Sequence, residues 1–335
     1  MTLQFGLPIH ELERLETNFM NKTSLNSKHS MQTILGANGI IAQELSKHLP
    51  NYTKEIRQVS RNPKRVNATD ELMTADLLNY EQTEKAVAGS EIVYLVAGLQ
   101  YDTKIWRVQW PKLMKNVIDA CKKHNSKLVF FDNVYSYGFV NGSMNEETPF
   151  NPTSKKGEIR AGIALTLLDE IKHGNITGMI VRGADFYGPG ALLSVTYSTV
   201  TQRLKANQGP QWIGDAKKIH TFSYTPDAGR SVALLGNTPD AFNQTWHALT
   251  SKEKITGEGY VRIACELMNR PYKIQLLPKF GVRLIGLFVP VLREFVEMMY
   301  QFENDYIFDS TKIEKKFNLA ATTYRDGIKE TLNKG

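Results

Sequence analysis

The sequence predicts an α/β fold, a doubly wound parallel sheet followed by a smaller C-terminal lobe. Three observations predict it. Short apolar runs such as MQTIL, EIVYLV and KLVFF alternate with helical patterns from Met31 to about Gly190. Continuous apolar runs mark strands covered on both faces, which is the signature of a parallel sheet. A glycine turn stands between the first strand and the first helix. Right-handed crossovers then wind the helices onto both faces.

The elements follow in order. MQTIL reads as the first strand and IIAQELSKHL as a helix with apolar residues at helical spacing. EIRQVSR is a second strand, EQTEKAVAG a helix closed by Gly89, and EIVYLVAG a third clear strand. Residues 103–124 form a long helix ending in basic residues. KLVFFDNVYSYG is a strand running into a loop, residues 154–173 a further helix, and ITGMIVRGADFYGPG another strand. After Gly190 the alternation weakens. Residues 191–208 read as helical, and TPDAGRSVALLG as a helix with Pro226 in its first turn. TWHALT is a short strand, GEGYVRIACELMN a helix, and residues 280–300 a helix interrupted at Pro290. Two short helices close the chain. The expected organisation is an extension over residues 1–30, with a helix over Ile9–Met20, and an α/β domain over 31–190. Residues 219–250 contribute to that domain, and 191–335 form mainly a C-terminal lobe.

Composition excludes several classes. Apolar residues make up 41%, enough for a sizeable core. The net charge is +7, but its lysines and arginines are scattered in pairs such as Lys122-Lys123 and Lys315-Lys316. Without a basic stripe, no nucleic-acid partner is expected. Two distant cysteines, Cys121 and Cys265, argue against disulfides and fit a reducing cytoplasm. None of the seven histidines forms a ligand-spaced pair, so no metal is expected. There is no Gly-x-Ser-x-Gly elbow. The most apolar late stretch, Phe280 to Leu292, carries Arg283 and Pro290 and is too short to span a bilayer. No membrane partner is expected, and the default location is the cytoplasm.

The glycine turn is the most specific local signal. Gly36-Ala37-Asn38-Gly39-Ile40-Ile41 lies at a strand-to-helix junction. Glycines there let backbone approach a pyrophosphate, and the helix N-terminus offers free N–H groups and a positive dipole end. This is the phosphate site of a Rossmann-type fold. The second strand ends in Val59-Ser60-Arg61, where a carboxylate would bind a ribose 2′-hydroxyl. Arg61 instead offers a fork for a 2′-phosphate, so the expected cofactor is NADP, with NAD the alternative. Asp76, in TADLLN, could meet the adenine amino group or cap a helix.

Together these segments resemble the extended short-chain dehydrogenase/reductase family, in its NAD-dependent epimerase/dehydratase group. GANGIIA resembles the glycine-rich turn and TADLLN, with Asp76 and Leu77, the adenine-binding segment. VAGL, with Val96, Ala97 and Gly98, resembles the cofactor-lining strand. VRGADFYGPG and YTPDAGRSVAL resemble two later family segments. The resemblance covers residues 31–335. It implies a seven-stranded sheet, a C-terminal substrate lobe, and substrates such as nucleotide-linked sugars or small carbonyl compounds. It also implies a homodimer through the two long helices.

The resemblance fails at the reaction centre. The family's Tyr-x-x-x-Lys pair is replaced by Lys156 and Arg160, its serine by Asn133, and its asparagine by Trp110. In one reading chemistry survives. Lys156 and Arg160 share a helix face, and the guanidinium disfavours a second positive charge, making Lys156 a candidate acid. Tyr135 and Tyr137 are alternative proton donors, and Asn133 a partner for a substrate carbonyl. In a third reading Lys156 and Arg160 only begin a solvated basic helix. In the second the two cations only grip cofactor phosphate or ribose. The protein then resembles the nitrogen-metabolite-repressor type of relative, a non-catalytic sensor of dinucleotide. His220, Trp212, Phe222 and Tyr224 are further candidates for a cleft or a core.

Overall fold

The computed structural model describes residues 30–334. The helix expected over Ile9–Met20 lies outside them.

Seven parallel strands form the central sheet. They are β1 (Met31–Leu35), β2 (Ile56–Ser60), β3 (Glu71–Thr74), β4 (Ser90–Leu95), β5 (Lys127–Asp132), β6 (Gly178–Arg182) and β7 (Thr245–His247). The order across the sheet is β7-β6-β5-β4-β1-β2-β3. It is a Rossmann-type doubly wound sheet, with the order reversing between β1 and β4. The ligand crevice of such sheets opens at the carboxyl ends of the strands at that switch point.

Five helices cover the sheet: α1 (Ile40–His48), α2 (Tyr80–Val87), α3 (Thr103–His124), α4 (Lys155–Lys172) and α5 (Thr225–Gly236). One core layer joins Ile41, Leu45, Val232 and Leu235 to Ile34, Tyr94 and Val129. The other joins Trp110, Met114, Val117, Ile163 and Leu167 to Leu35, Val93 and Phe130. Alternate strand residues thus feed opposite faces. Local signals set the helix ends. Asp102 caps α3 by accepting from the N–H groups of Lys104 and Ile105, and Asn125 ends it in the left-handed conformation (φ 52°). Ser154 caps α4 by accepting from Gly157 N–H. The helix expected at TPDAGRSVALLG is present, but its cap position is Tyr224 and no side chain caps it.

A separate aromatic cluster, with Tyr187, Trp212, Phe222, Tyr260 and Tyr324, lies among the C-terminal elements. Helix α6 (Gly257–Leu267) packs into it. Beyond it, α7 (Lys279–Gly286), through Val282, and α8 (Pro290–Phe295), through Leu292 and Phe295, pack with Ile213 and Met299.

Candidate functional site: a glycine turn beside an apolar cleft

The turn between β1 and α1 approaches the end of β4 closely. Gly36 has φ +96°, and a Cβ placed on it would stand 2.4 Å from Ala97 Cα. Only glycine meets both conditions. Val96 N–H donates to Leu35 O, so Val96 and Ala97 extend the wall beside the turn. Gly39 is the cap residue of α1. No side chain caps the helix, and no acidic residue lies in its first turn. The leading N–H groups of Ile40 and Ile41 have no intrahelical acceptor, and the dipole adds positive potential. That is the electrostatic form of a phosphate site.

The loop after β2 is tied to this turn. Asn38 Nδ2 donates to Asn62 O at 2.8 Å, and Ser60 Oγ accepts from Asn62 N–H. Arg61 is exposed between those two anchors. Asp76 Oδ1 accepts from Leu78 N–H, which shapes the entry to α2. Leu77 is buried, and its carbonyl accepts from Asn116 Nδ2.

A cavity of about 500 Å³ opens beside the turn. Asn38, Gly39 and Ile40 form one edge, and Phe186, Leu192, Leu193, Val195, Phe222 and Phe295 the apolar walls. Tyr135, Asp185 and Gln301 supply polar groups. Among the described residues, no lysine or arginine lines it, and Asp185 is its one charged member. Behind Asp185 stands His220, with Nε2 2.9 Å from Oδ2. His220 is buried and stacked between Phe302 and Tyr306, at ring distances of 4.4 and 4.5 Å. Tyr135 stacks on Trp106. Burial raises the Tyr135 hydroxyl well above its ordinary range, and the Asp185 charge adds to the rise. Tyr135 therefore stays un-ionised at the cleft.

Lys156 and Arg160 go elsewhere. Gly157 lets the start of α4 press against the loop after β5, since a Cβ there would meet Tyr135 O at 2.5 Å. Lys156 is fully buried and does not line the cleft. Its Nζ reaches Glu294 Oε2 at 2.6 Å, Glu297 Oε1 at 2.9 Å, Thr103 Oγ1 at 2.8 Å and Glu294 O at 3.0 Å. Glu294 also accepts from Thr103 N–H, and Glu297 from Lys155 N–H. The two carboxylates thus sit at the N-termini of α3 and α4, where helix dipoles favour them. Burial alone pushes the Glu294 carboxyl up, but hydrogen bonds from Lys156 and Thr103 outweigh it and bring it down to about 2. Arg160 binds Asp132 Oδ1 through Nε at 2.8 Å and through Nη2. Its guanidinium lies 4.2 Å from the Trp110 ring centroid. Each cation has its own carboxylate partner, so the guanidinium effect assumed for Lys156 has no unmatched charge behind it.

Of the residues singled out in the sequence, the fold brings Gly36 to Ile41, Ser60, Arg61, Val96 and Ala97 to one crevice. Tyr135 stands across it, with His220 behind Asp185. Asn133, Lys156 and Arg160 do not line the cavity. Asn133 Oδ1 accepts from Tyr135 N–H and shapes the loop. Asp185 and Gln301 were not visible as site residues. The one available signal was Asp185 within VRGADFYGPG.

The fold and its crevice define a dinucleotide-binding protein of the short-chain dehydrogenase/reductase type. The chain belongs to the NAD dependent epimerase/dehydratase family, whose model matches residues 33–247. Solved structures agree in fold. UDP-N-acetylglucosamine 4-epimerase from Methanobrevibacter ruminantium M1, in complex with UDP-N-acetylmuramic acid, superimposes with TM-score 0.74 at 15% identity. The match covers 91% of this chain and 98% of that one. UDP-glucuronic acid 4-epimerase from Bacillus cereus, in complex with NAD, gives the same four values. UDP-glucose 4-epimerase from Thermus thermophilus, also with NAD, gives TM-score 0.72 at 16% identity, covering 90% and 98%. No curated protein sequence matches the chain.

Proposed function

We propose that this chain binds a nicotinamide dinucleotide on the Gly36–Gly39 turn and an uncharged, largely apolar carbonyl compound in the adjoining cleft. Hydride transfer takes place there with Tyr135 as proton donor. One observation carries the reading: an apolar cavity with a few convergent polar groups opens directly onto the phosphate turn. The cofactor supplies the hydride when bound. Ile40 and Ile41 N–H groups hold its phosphates, and Arg61 favours the 2′-phosphate of NADP. Tyr135 O–H donates to the substrate oxygen as negative charge develops on it. The nucleotide sugars bound by similar structures carry a diphosphate. This cleft has Asp185 and no lining cation, so it disfavours such anions.

The test uses purified protein, NADPH, a panel of apolar ketones and aldehydes, and a UDP-sugar. Oxidation of NADPH is expected with neutral carbonyls and not with the UDP-sugar. Tyr135→Phe should lower kcat by roughly 100-fold or more while leaving NADPH affinity within about twofold. A second reading, dinucleotide binding without turnover, is favoured by the neutralised Lys156 and Arg160. Tight NADPH binding with no oxidation across the panel would establish it instead. In either case Arg61→Ala should weaken NADPH by about 10- to 100-fold and leave NADH unchanged, because a charge-assisted contact contributes about 1.5–3 kcal/mol. Equal losses for both cofactors would count against the 2′-phosphate role.

A further inference from the structure

We propose that the surface formed by α7, α8 and the turn between them docks on an anionic lipid surface. The sequence shows only that this stretch cannot span a bilayer, and no described helix is long and apolar enough to cross one. Lying on a membrane is a different requirement.

Helix α7 turns Val282 inward, against Ile213 and Met299. Its other side is also apolar, and it faces solvent. On α7, Phe280 and Leu284 are 76 and 53% exposed; in the turn that follows, Leu287 and Phe288 are 69 and 84% exposed, and on α8 Val291 is 55% exposed. A soluble helix normally places polar residues on that side. A contiguous exposed run of large apolar side chains marks an interaction surface.

Charge selects the occupant. From Asn269 to Arg293 the chain has five basic residues, Arg270, Lys273, Lys279, Arg283 and Arg293, and no acidic one. Lys279 pairs with Glu303, while Arg270, Lys273, Arg283 and Arg293 are exposed. A second copy seated on this face by a two-fold axis would bring like charges together. Anionic headgroups match the cations while the phenylalanines and leucines enter the acyl boundary. The patch also adjoins the cleft. Val195, Leu292 and Phe295 pack on the same cluster as Val282, and Val195, Phe295 and the fully exposed Leu193 line the cavity.

The experiment is co-sedimentation of the full chain with vesicles of phosphatidylcholine alone, or with about one-third phosphatidylglycerol, over a sodium chloride series. Expected is binding to the anionic vesicles at least tenfold above the neutral ones, falling as salt rises. The double variant F280S/F288S should lose at least tenfold in binding, with NADPH affinity and melting temperature retained. Arg283→Glu should do the same. Absence of sedimentation with anionic vesicles would overturn the proposal. So would binding indifferent to F280S/F288S, which would leave only a cationic face for an acidic partner. A dimer in solution that F280S/F288S converts to monomer would overturn it too, and assign the face to a second copy.

Discussion

Lys156→Met is expected to lower unfolding free energy by roughly 3 kcal/mol, read by denaturant titration. The lysine is fully buried and holds two carboxylates, one threonine hydroxyl and one carbonyl. Removing one partner of such a cluster leaves uncompensated charge, which typically costs about 3–5 kcal/mol. Partial solvent access to Glu294 and Glu297 places the loss at the low end. The pH dependence has a definite sign. The Glu294 carboxyl is depressed from 4.5 to about 2, so its contribution is present above pH 4.5 and is lost as pH falls through 2. The gap between wild type and Lys156→Met should narrow over that window. NADPH affinity should change less than about twofold. A large loss of affinity with unchanged stability would instead place Lys156 on the cofactor.

Asp132→Asn carries the second large effect. The carboxylate is fully buried between Arg160 and Arg182, whose side chains are 5 and 1% exposed. An amide of the same shape leaves two guanidinium groups without a counter-charge, at about 3–5 kcal/mol. Arg182 also donates to Tyr137 Oη at 3.0 Å, and Tyr137 meets His247 Nε2 at 2.9 Å. Burial lowers His247 to about 3, with Arg182 adding to the drop, so it is held neutral. Its contribution is present above pH 6.5 and is lost as pH falls toward 3. Acid should therefore weaken this chain progressively, through His247 below pH 6.5 and through Glu294 as well below pH 4.5. Removing Asp132 should lower the melting temperature across the whole range, measurable by scanning calorimetry. An unchanged melting temperature would show that Arg160 and Arg182 find other partners.

Much of the frame was legible because its causes are local. The MQTIL strand, the glycine turn and the periodic helix after it are decided by neighbours in sequence. So are the helices over 103–124 and 225–236, the first marked by its basic last turn and the second by Pro226. Strand β3 was not assigned, because ELMT is four residues long and mostly exposed, without a sealed apolar run. The fate of Lys156 was illegible for another reason. Its partners lie 138 and 141 residues downstream, and no spacing rule links them. Asp132 escaped notice although Asn133 beside it was singled out. An ion pair between β5 and α4 depends on how those elements pack. Asp185 became meaningful only once the fold set it against His220.

The Lys156 cluster has a consequence for redesign. Installing the family's reactive pair here cannot be done by two exchanges. Lys156→Tyr would strand Glu294 and Glu297, and Arg160→Lys would give up the fork on Asp132 and the Trp110 face. Positions 156, 160, 294 and 297 therefore have to change as a set. Lys156→Tyr made alone would leave Glu294 and Glu297 without their cation, so a stepwise route that begins there crosses a stability valley.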